Sequence, residues 1–391
     1  MKSVICKVLF ILLFVRLNAQ QNPEDSISRR EFETFVKPYG GTIDSTLASI
    51  ISPYLITARG TINGMHQRNK KFPRPYIDFV NNSNFNAFAT RYDGRYIIAV
   101  NKGTLQILSN VFSRLLANKN TFTYIGNPSM EATPKKIPLS EIYDQREFYT
   151  AKSVIPVPID SIRKLYTEIL ITWAYKYIIL HEYGHILAGH VGYSQSHNHL
   201  PIKEVRDASS VKFLKPLDSQ TIEMDADSYA TTQTIESLLY HVQNPRLIPE
   251  NLRRFYVNWQ TALRMWLTAI YSQWKLLSYL NVDSDIQTAD HPLPAIRTRL
   301  ILATIDSIFD LRYKAGLEHE IADISADALK DVENAFDQVS TSRLDYSDIR
   351  FMYSEGASRQ FMMIMNNYWN HLRPLLKDYS FFSETKPRLD K

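Results

Sequence analysis

The residues from 173 to 192 contain two histidines and a glutamate with the types and spacing of a metal centre. They read WAYKYIILHEYGHILAGHVG and include His181, Glu182 and His185 as a His-Glu-x-x-His motif. Residues four apart lie on one face of a helix, so both imidazoles could bind one divalent cation. Glu182 would lie beside that cation but outside the histidine row, where a general base can act on a water molecule. The motif therefore predicts a catalytic metal site.

Three further histidines follow the motif, at His190, His197 and His199. In the extended zincin motif a third histidine comes six positions after the second, but here that position is Val191. We therefore expect these three histidines to be surface or supporting residues and not metal ligands.

A carboxylate from a second helix is the better third ligand. Residues 221–232 read TIEMDADSYATT and place Glu223 and Asp227 four apart, with Ala226 and Ala230 small enough for close helix packing. Glu223 would complete a His-His-Glu site that leaves the fourth zinc position to water. Asp227 could accept the free ring N–H of a liganding histidine and so fix its tautomer. The same acidic spacing is also typical of a solvated helix face.

The composition limits the metal and the partners. The 391 residues have a net charge of +5, to which residues 1–19 contribute +3. The rest of the chain therefore has a net charge of +2. That charge is too small for a nucleic-acid-binding surface. Cys6 is the only cysteine, so beyond residue 19 a metal must be bound by His, Asp or Glu, and no disulfide can form. We expect one Zn²⁺ per chain and no nucleic-acid partner.

Residues 1–19 have a short basic start, an apolar run and a final Ala19, which is the pattern of a secretory signal peptide cleaved after Ala19. The alternative is an uncleaved membrane anchor, which Arg16 within the apolar run disfavours. The most apolar later segment, residues 262–280, carries Arg264 and Lys275 and predicts an amphipathic helix without a stable transmembrane span. The expected location is therefore outside the cytoplasm, periplasmic or secreted.

The remaining patterns predict an α+β fold that is mostly helical, with a small antiparallel sheet. The predicted elements are a helix at 45–59, strands at 76–80, 86–91 and 95–100, and helices at 103–116 and 161–188. Asp93 and Gly94 are typical of a hairpin turn between the second and third strands. We therefore expect the sheet to precede the motif helix in the chain.

The chain divides into two predicted regions after the signal peptide. Residues 20–315 would form one domain that contains the metal site, and residues 316–391 a helical C-terminal extension. Within the domain, residues 117–158 contain five prolines and predict an insertion that is either a disordered connector or a lid over a cleft. The apolar residues of the extension are expected to be core, and they are Met362, Met363, Met365, Tyr368 and Trp369.

Four motifs in order resemble the M48-type gluzincin metallopeptidases. They are HEYGH, the E-x-x-x-D-x-x-A pattern that begins at Glu223, the Asn-Ala-Phe strand at 86–88, and His291-Pro292 followed by Arg297. The resemblance covers roughly residues 75–305. It implies a zincin-like fold for this part of the chain.

The resemblance also implies roles for individual residues. His181, His185 and Glu223 would bind zinc. His291 would stabilise the oxyanion of the reaction, with Arg297 as a supporting residue behind the ligands. The alternative for His291 is an ordinary histidine at a helix start beside two prolines.

These features predict a zinc-dependent endopeptidase that acts on envelope or exported proteins. Glu182 would take a proton from the attacking water and return it to the leaving amine. The protein or peptide substrate would add as a strand along residues 84–89, with Asn86 and Ala87 in contact with it, unless this segment is an inner strand.

Two other functions are compatible with the sequence. One is a non-catalytic, zinc-stabilised chaperone or assembly factor of the envelope, although the presence of Glu182 argues against lost catalysis. The other is an intracellular protease with one target protein, which requires that residues 1–19 are not a signal.

Overall fold

The computed structural model describes residues 23–43, 45–143, 155–198, 202–203, 214–280, 291–313, 316–342 and 352–382. The predicted signal peptide, with Cys6 and the cleavage point after Ala19, lies outside these ranges. His199 and residues 144–154 of the predicted insertion lie outside them too. The predictions for these residues, and the predicted domain boundaries, stay predictions.

Helices dominate the described chain, which confirms the predicted α+β class with mostly helical content. The α-helices are α1 (Pro23–Val36), α2 (Ser45–Arg68), α3 (Lys102–Leu116), α4 (Leu139–Tyr143), α5 (Ser161–Leu187), α6 (His190–Asn198), α7 (Pro216–Gln243), α8 (Trp259–Leu280), α9 (Pro294–Tyr313), α10 (Glu318–Val339), α11 (Glu355–Asn367) and α12 (Arg373–Leu376). A π-helix, Tyr368–Leu372, joins α11 to α12. The strands are β1 (Tyr76–Val80), β2 (Ala87–Tyr92), β3 (Arg95–Asn101) and β4 (Ile202–Lys203).

The predicted strands and the motif helix agree with the structure to within one residue at each end. The helix expected at 45–59 is longer and ends at Arg68. It continues because Ile62 and Met65 extend the buried face of Ala58 at helical spacing. Gly60 therefore does not end this helix.

The sheet is mixed and not purely antiparallel as predicted. Its strand order is β1-β3-β2-β4, with β3 parallel to β1 and antiparallel to β2. The turn between β2 and β3 uses positive φ at Asp93 (48°) and Gly94 (79°), as the hairpin signal predicts. After the turn, β3 lies between β1 and β2. Its residues from Ile97 to Val100 are fully buried, and a central position in the sheet shields such an apolar run on both sides.

Helices α5 and α7 form the centre of the molecule, and small residues bring them together. A Cβ atom on Gly184 would lie 3.3 Å from backbone atoms of Ala226 and 3.2 Å from the ring of Tyr229. Ala226 and Ala230 are fully buried, as their size predicts. The two helices are therefore close enough for side chains of both to share one site.

The described part of the predicted insertion, residues 117–143, is folded against the start of α5. Asp160 caps that helix by accepting hydrogen bonds from the N–H groups of Ile162 and Arg163, both at 2.9 Å. Gly126 has a φ of 63°, and a Cβ atom there would lie 2.1 Å from Asp160 Oδ1. This part of the chain is therefore not a disordered connector, whereas its role as a lid stays a prediction.

Helix α8 is mostly apolar, but its two cationic side chains form ion pairs with α10. Arg264 forms an ion pair with Asp331 at 2.6 Å, and Lys275 forms one with Glu333, both acids being on α10. None of the helices in the described ranges has the length and apolar character needed to cross a membrane.

The C-terminal helices are less buried than predicted. Met362 and Met363 are 54% and 50% exposed, and Trp369 is 39% exposed, so the prediction that they are core residues is wrong. The reason is that α11 turns Ala357, Gln360 and Ile364 inward, and the methionines lie off this face. Met365 and Tyr368 pack against the small cluster that joins α7, α9 and α11.

Candidate metal centre

Helix α5 presents His181 and His185 toward Glu223 of α7, and all three side chains are buried. The Nε2 atoms of the two histidines are 3.0 Å apart. His181 Nε2 lies 3.2 Å from Glu223 Oε2, and His185 Nε2 lies 3.5 Å from Glu223 Oε1. The predicted ligands therefore converge on one point, and among the described residues they form the group able to hold a metal ion.

The donor set fits a small divalent cation. In a tetrahedral site with bonds of about 2.0–2.1 Å, neighbouring ligand atoms lie about 3.3 Å apart, close to the distances between these three side chains. Glu223 Oε2 has no hydrogen-bond partner within the described chain, although His181 Nε2 lies 3.2 Å and His291 Nδ1 3.3 Å away. A buried carboxylate oxygen needs such a partner or an ion. Two imidazoles and a carboxylate are the ligands zinc prefers where no thiol is available.

The protonation states of the centre suit metal binding. Burial lowers the pKa of His185 well below its usual value, so its imidazole is neutral. Burial alone would raise the pKa of Glu223, but His291, His185 and His181 together hold that pKa well below its usual value. Neutral imidazoles and an ionised carboxylate are the forms that coordinate a cation.

Glu182 follows His181 directly on α5 and is 1% exposed. Its position on the helix places it beside the two ligands without aligning it with them. The structure therefore keeps the predicted base within the buried centre, and its role in catalysis stays a prediction.

Asp227 and Arg297 support His181 from behind. Asp227 Oδ1 lies 2.9 Å from His181 Nδ1, while Arg297 of α9 donates to both carboxylate oxygens of Asp227, at 2.7 and 2.8 Å. Tyr177 also donates to Asp227, and the Arg297 guanidinium lies 3.7 Å from the ring centroid of Trp274. Burial would raise the pKa of Asp227, but Arg297 and His181 lower it, so the acid is ionised. His181 therefore donates its Nδ1–H to Asp227 and leaves Nε2 for an ion.

His190 is in contact with the other ligand, His185. The Nδ1 atoms of the two rings are 3.0 Å apart, and His190 Nε2 lies 3.1 Å from Asp225 Oδ2. His190 is fully buried, so of the two roles left open for it only a supporting one agrees with its position. Asp225 was not identified from the sequence, because its spacing of two from Glu223 matches no helical pattern of ligands. The side chains of His197 and His199 lie outside the described residues.

His291 also reaches the centre. Its Nδ1 atom is 3.3 Å from Glu223 Oε2, and its side chain is 10% exposed, which is more than the three ligands. It immediately precedes α9, the helix that carries Arg297. The structure thus brings a fourth imidazole to the centre, while its role in stabilising an oxyanion stays a prediction.

The predicted substrate edge is not free. Strand β2 pairs with β3 on one side and with β4 on the other, where Phe88 faces Lys203 and Ala89 faces Ile202. Asn86 and Ala87 are buried, and the Asn86 carbonyl accepts hydrogen bonds from Thr104 Oγ1 and the Asn101 N–H. The prediction of an exposed edge at 84–89 is therefore wrong where β4 covers it. A two-residue strand distant in sequence carries no pattern that would have revealed this pairing.

A comparison with known families identifies one match. The family model described as Peptidase U49 matches residues 89–308, which is more than half of the chain and includes the whole metal centre. No curated protein and no solved structure matches the chain significantly. The match overturns the resemblance to the M48-type gluzincins, because Peptidase U49 is a different peptidase family. The error has a physical reason: the His-Glu-x-x-His spacing follows from helix geometry, so it does not distinguish between families that share it.

Proposed function

We propose a zinc-dependent mechanism from one premise: the chain belongs to the peptidase U49 family, so it is a peptidase. In this proposal His181, His185 and Glu223 hold one zinc ion, and the chain is an endopeptidase. The observation that carries the proposal is the convergence of three buried side chains, whose two imidazole Nε2 atoms and two carboxylate oxygens approach one another at 3.0, 3.2 and 3.5 Å. Of these two oxygens, Glu223 Oε2 has no hydrogen-bond partner in the described part of the chain.

Zinc at this position would polarise the substrate carbonyl and lower the pKa of a water molecule. Glu182 accepts the proton of the attacking water and passes it to the amine that leaves. His291 lies on the more exposed side of Glu223, where it can donate a hydrogen bond to the carbonyl oxygen as negative charge develops. Asp227 and Arg297 keep His181 in one tautomer and one orientation.

Removal of the metal tests the proposal. The purified full-length chain should contain about one zinc ion per molecule. A chelator should abolish its hydrolysis of casein, used as a test protein, and added zinc should restore it. Glu223→Ala should bind no zinc. Full hydrolysis by the chelated protein, or no zinc binding by the wild type on titration, would contradict the zinc mechanism.

We propose further that the substrates are envelope or exported proteins. This proposal is supported by residues 1–19, whose basic start, apolar run and Ala19 have the pattern of a cleaved signal. N-terminal sequencing of the expressed protein should find Gln20 as the first residue. A protein recovered in the soluble fraction with residues 1–19 still attached would favour the intracellular alternative.

A further inference from the structure

A series of side chains in contact extends from the His185 ring, on the side that faces away from Glu223. Its Nε2 atom faces His181 and Glu223, whereas its Nδ1 atom lies 3.0 Å from His190 Nδ1. His190 Nε2 in turn lies 3.1 Å from Asp225 Oδ2. His190 is fully buried, and the Asp225 side chain is 20% exposed. This series of side chains thus leads from the ligand His185 to the outer side of α7.

The direction of each hydrogen bond follows from metal binding. A histidine that binds a cation through Nε2 needs its lone pair there, so His185 must carry its proton on Nδ1 and donate it. His190 can accept that proton at Nδ1 only if its own proton is on Nε2, from where it points at the Asp225 carboxylate. Asp225 accepts from His190. One arrangement of protons therefore satisfies every group, and it presents His185 Nε2 to the cation.

We propose that His190 and Asp225 are positioning residues for His185. The inference rests on the proposed zinc function. It gives the two histidine ligands separate supports, since His181 contacts Asp227 directly and His185 reaches Asp225 through a second imidazole. His190 can bridge His185 and Asp225 because Gly189, with a φ of 88°, ends α5 and redirects the backbone into α6.

Zinc affinity of the full-length chain, measured by competition with a chelator, tests this inference apart from catalysis. His190→Phe keeps a ring of similar size but cannot accept from His185, and we expect about a 10- to 100-fold loss of affinity. His190→Gln offers an acceptor and a donor, so it should recover part of that loss. Asp225→Asn removes the charge that His190 Nε2 faces, and it should cost about five-fold. The matched control is His241→Phe, a partly buried histidine on α7 that contacts Trp173 and Tyr256, which should leave the affinity unchanged.

The outcomes separate this inference from the proposed function. If the wild type binds no zinc, both fail. If the wild type binds zinc and His190→Phe binds it as tightly, only the positioning role is overturned. If His190→Phe does not fold, His190→Gln and Asp225→Asn decide, since both should lose affinity without a change in the melting temperature of the zinc-free protein. An unchanged affinity in Asp225→Asn would overturn the contribution of Asp225.

Discussion

The two ends of α5 each bury a cluster of polar side chains, but the two clusters differ in how they are satisfied. At the N-terminal end, Arg163 is fully buried and donates to five main-chain carbonyls at 2.6–3.0 Å. Those carbonyls belong to Leu116, Asn118, Thr121, Phe122 and Ile125. At the C-terminal end, Glu223 Oε2 has no hydrogen-bond partner within the described chain, and two histidine Nε2 atoms face each other.

The difference separates a structural cluster from a functional one. A guanidinium has five N–H donors, and each one on Arg163 has an acceptor, so this cluster can do no more than hold the loop at 116–125 against α5. The cluster at the other end has unused acceptor capacity in a buried place, which costs stability unless a ligand is bound. Burial of polar groups alone would not have distinguished the two ends of the helix.

The largest effect that tests this comparison is expected for Glu182→Gln. The substitution keeps the shape of the side chain but removes the proton acceptor, so hydrolysis of a test protein should fall about 10²- to 10⁴-fold. Zinc content and melting temperature should stay close to those of the wild type.

The matched control makes the same chemical change at the other end of α5. Glu131 accepts hydrogen bonds from the N–H groups of Ile159 and Asp160 at 2.8–2.9 Å. Glu131→Gln should lower stability but leave the rate per folded molecule unchanged. If Glu182→Gln hydrolysed protein at the wild-type rate, Glu182 would not be the base.

A smaller effect, on stability and not on catalysis, is expected for Arg163→Met. It leaves five buried carbonyls without their donor and Glu131 without the guanidinium 3.9 Å away, so the free energy of unfolding should fall by about 3–5 kcal/mol. Urea unfolding measures this change, and Arg163→Lys should restore a part of it. The zinc affinity of the folded variant should equal that of the wild type. Lost zinc affinity at full stability would show that the two clusters are not independent.

The sequence predicted the parts of this comparison that depend on local periodicity. The shared face of His181 and His185 on α5, and that of Glu223 and Asp227 on α7, follow from helical spacing, because residues three and four apart share a face. The buried Arg163 gave no such signal, since a single arginine near a helix start is compatible with a solvated position. Its partners lie about 40 positions earlier in the chain.

Long-range pairing explains most of the remaining errors. The parallel alignment of β1 with β3 and the cover of β2 by β4 depend on contacts between segments far apart in sequence, which period and turn signals do not specify. For His190 the sequence left a surface role and a supporting role open and indicated no partner. Its contact with Asp225 depends on the turn at Gly189 and on the position of α7, which lies more than 20 residues later in the chain.

The smallest expected effect concerns His241, a partly buried histidine of α7 that has no part in either cluster. Burial, and then the charge of Lys176, lower its pKa to about 4, whereas a histidine in an unfolded chain has a pKa of about 6.5. Below pH 6.5 the unfolded chain therefore takes up a proton that the folded chain does not. Stability falls until about pH 4, where the folded form is protonated too, and the loss should reach about 2–3 kcal/mol.

The measurement is the free energy of unfolding against pH, for wild type and His241→Phe with equal saturating zinc, so that protonation of the metal ligands affects both curves alike. The two curves should diverge between pH 6.5 and 4, with the wild type losing more. Parallel curves would mean that His241 titrates equally in both states, and that burial on α7 does not by itself keep an imidazole neutral.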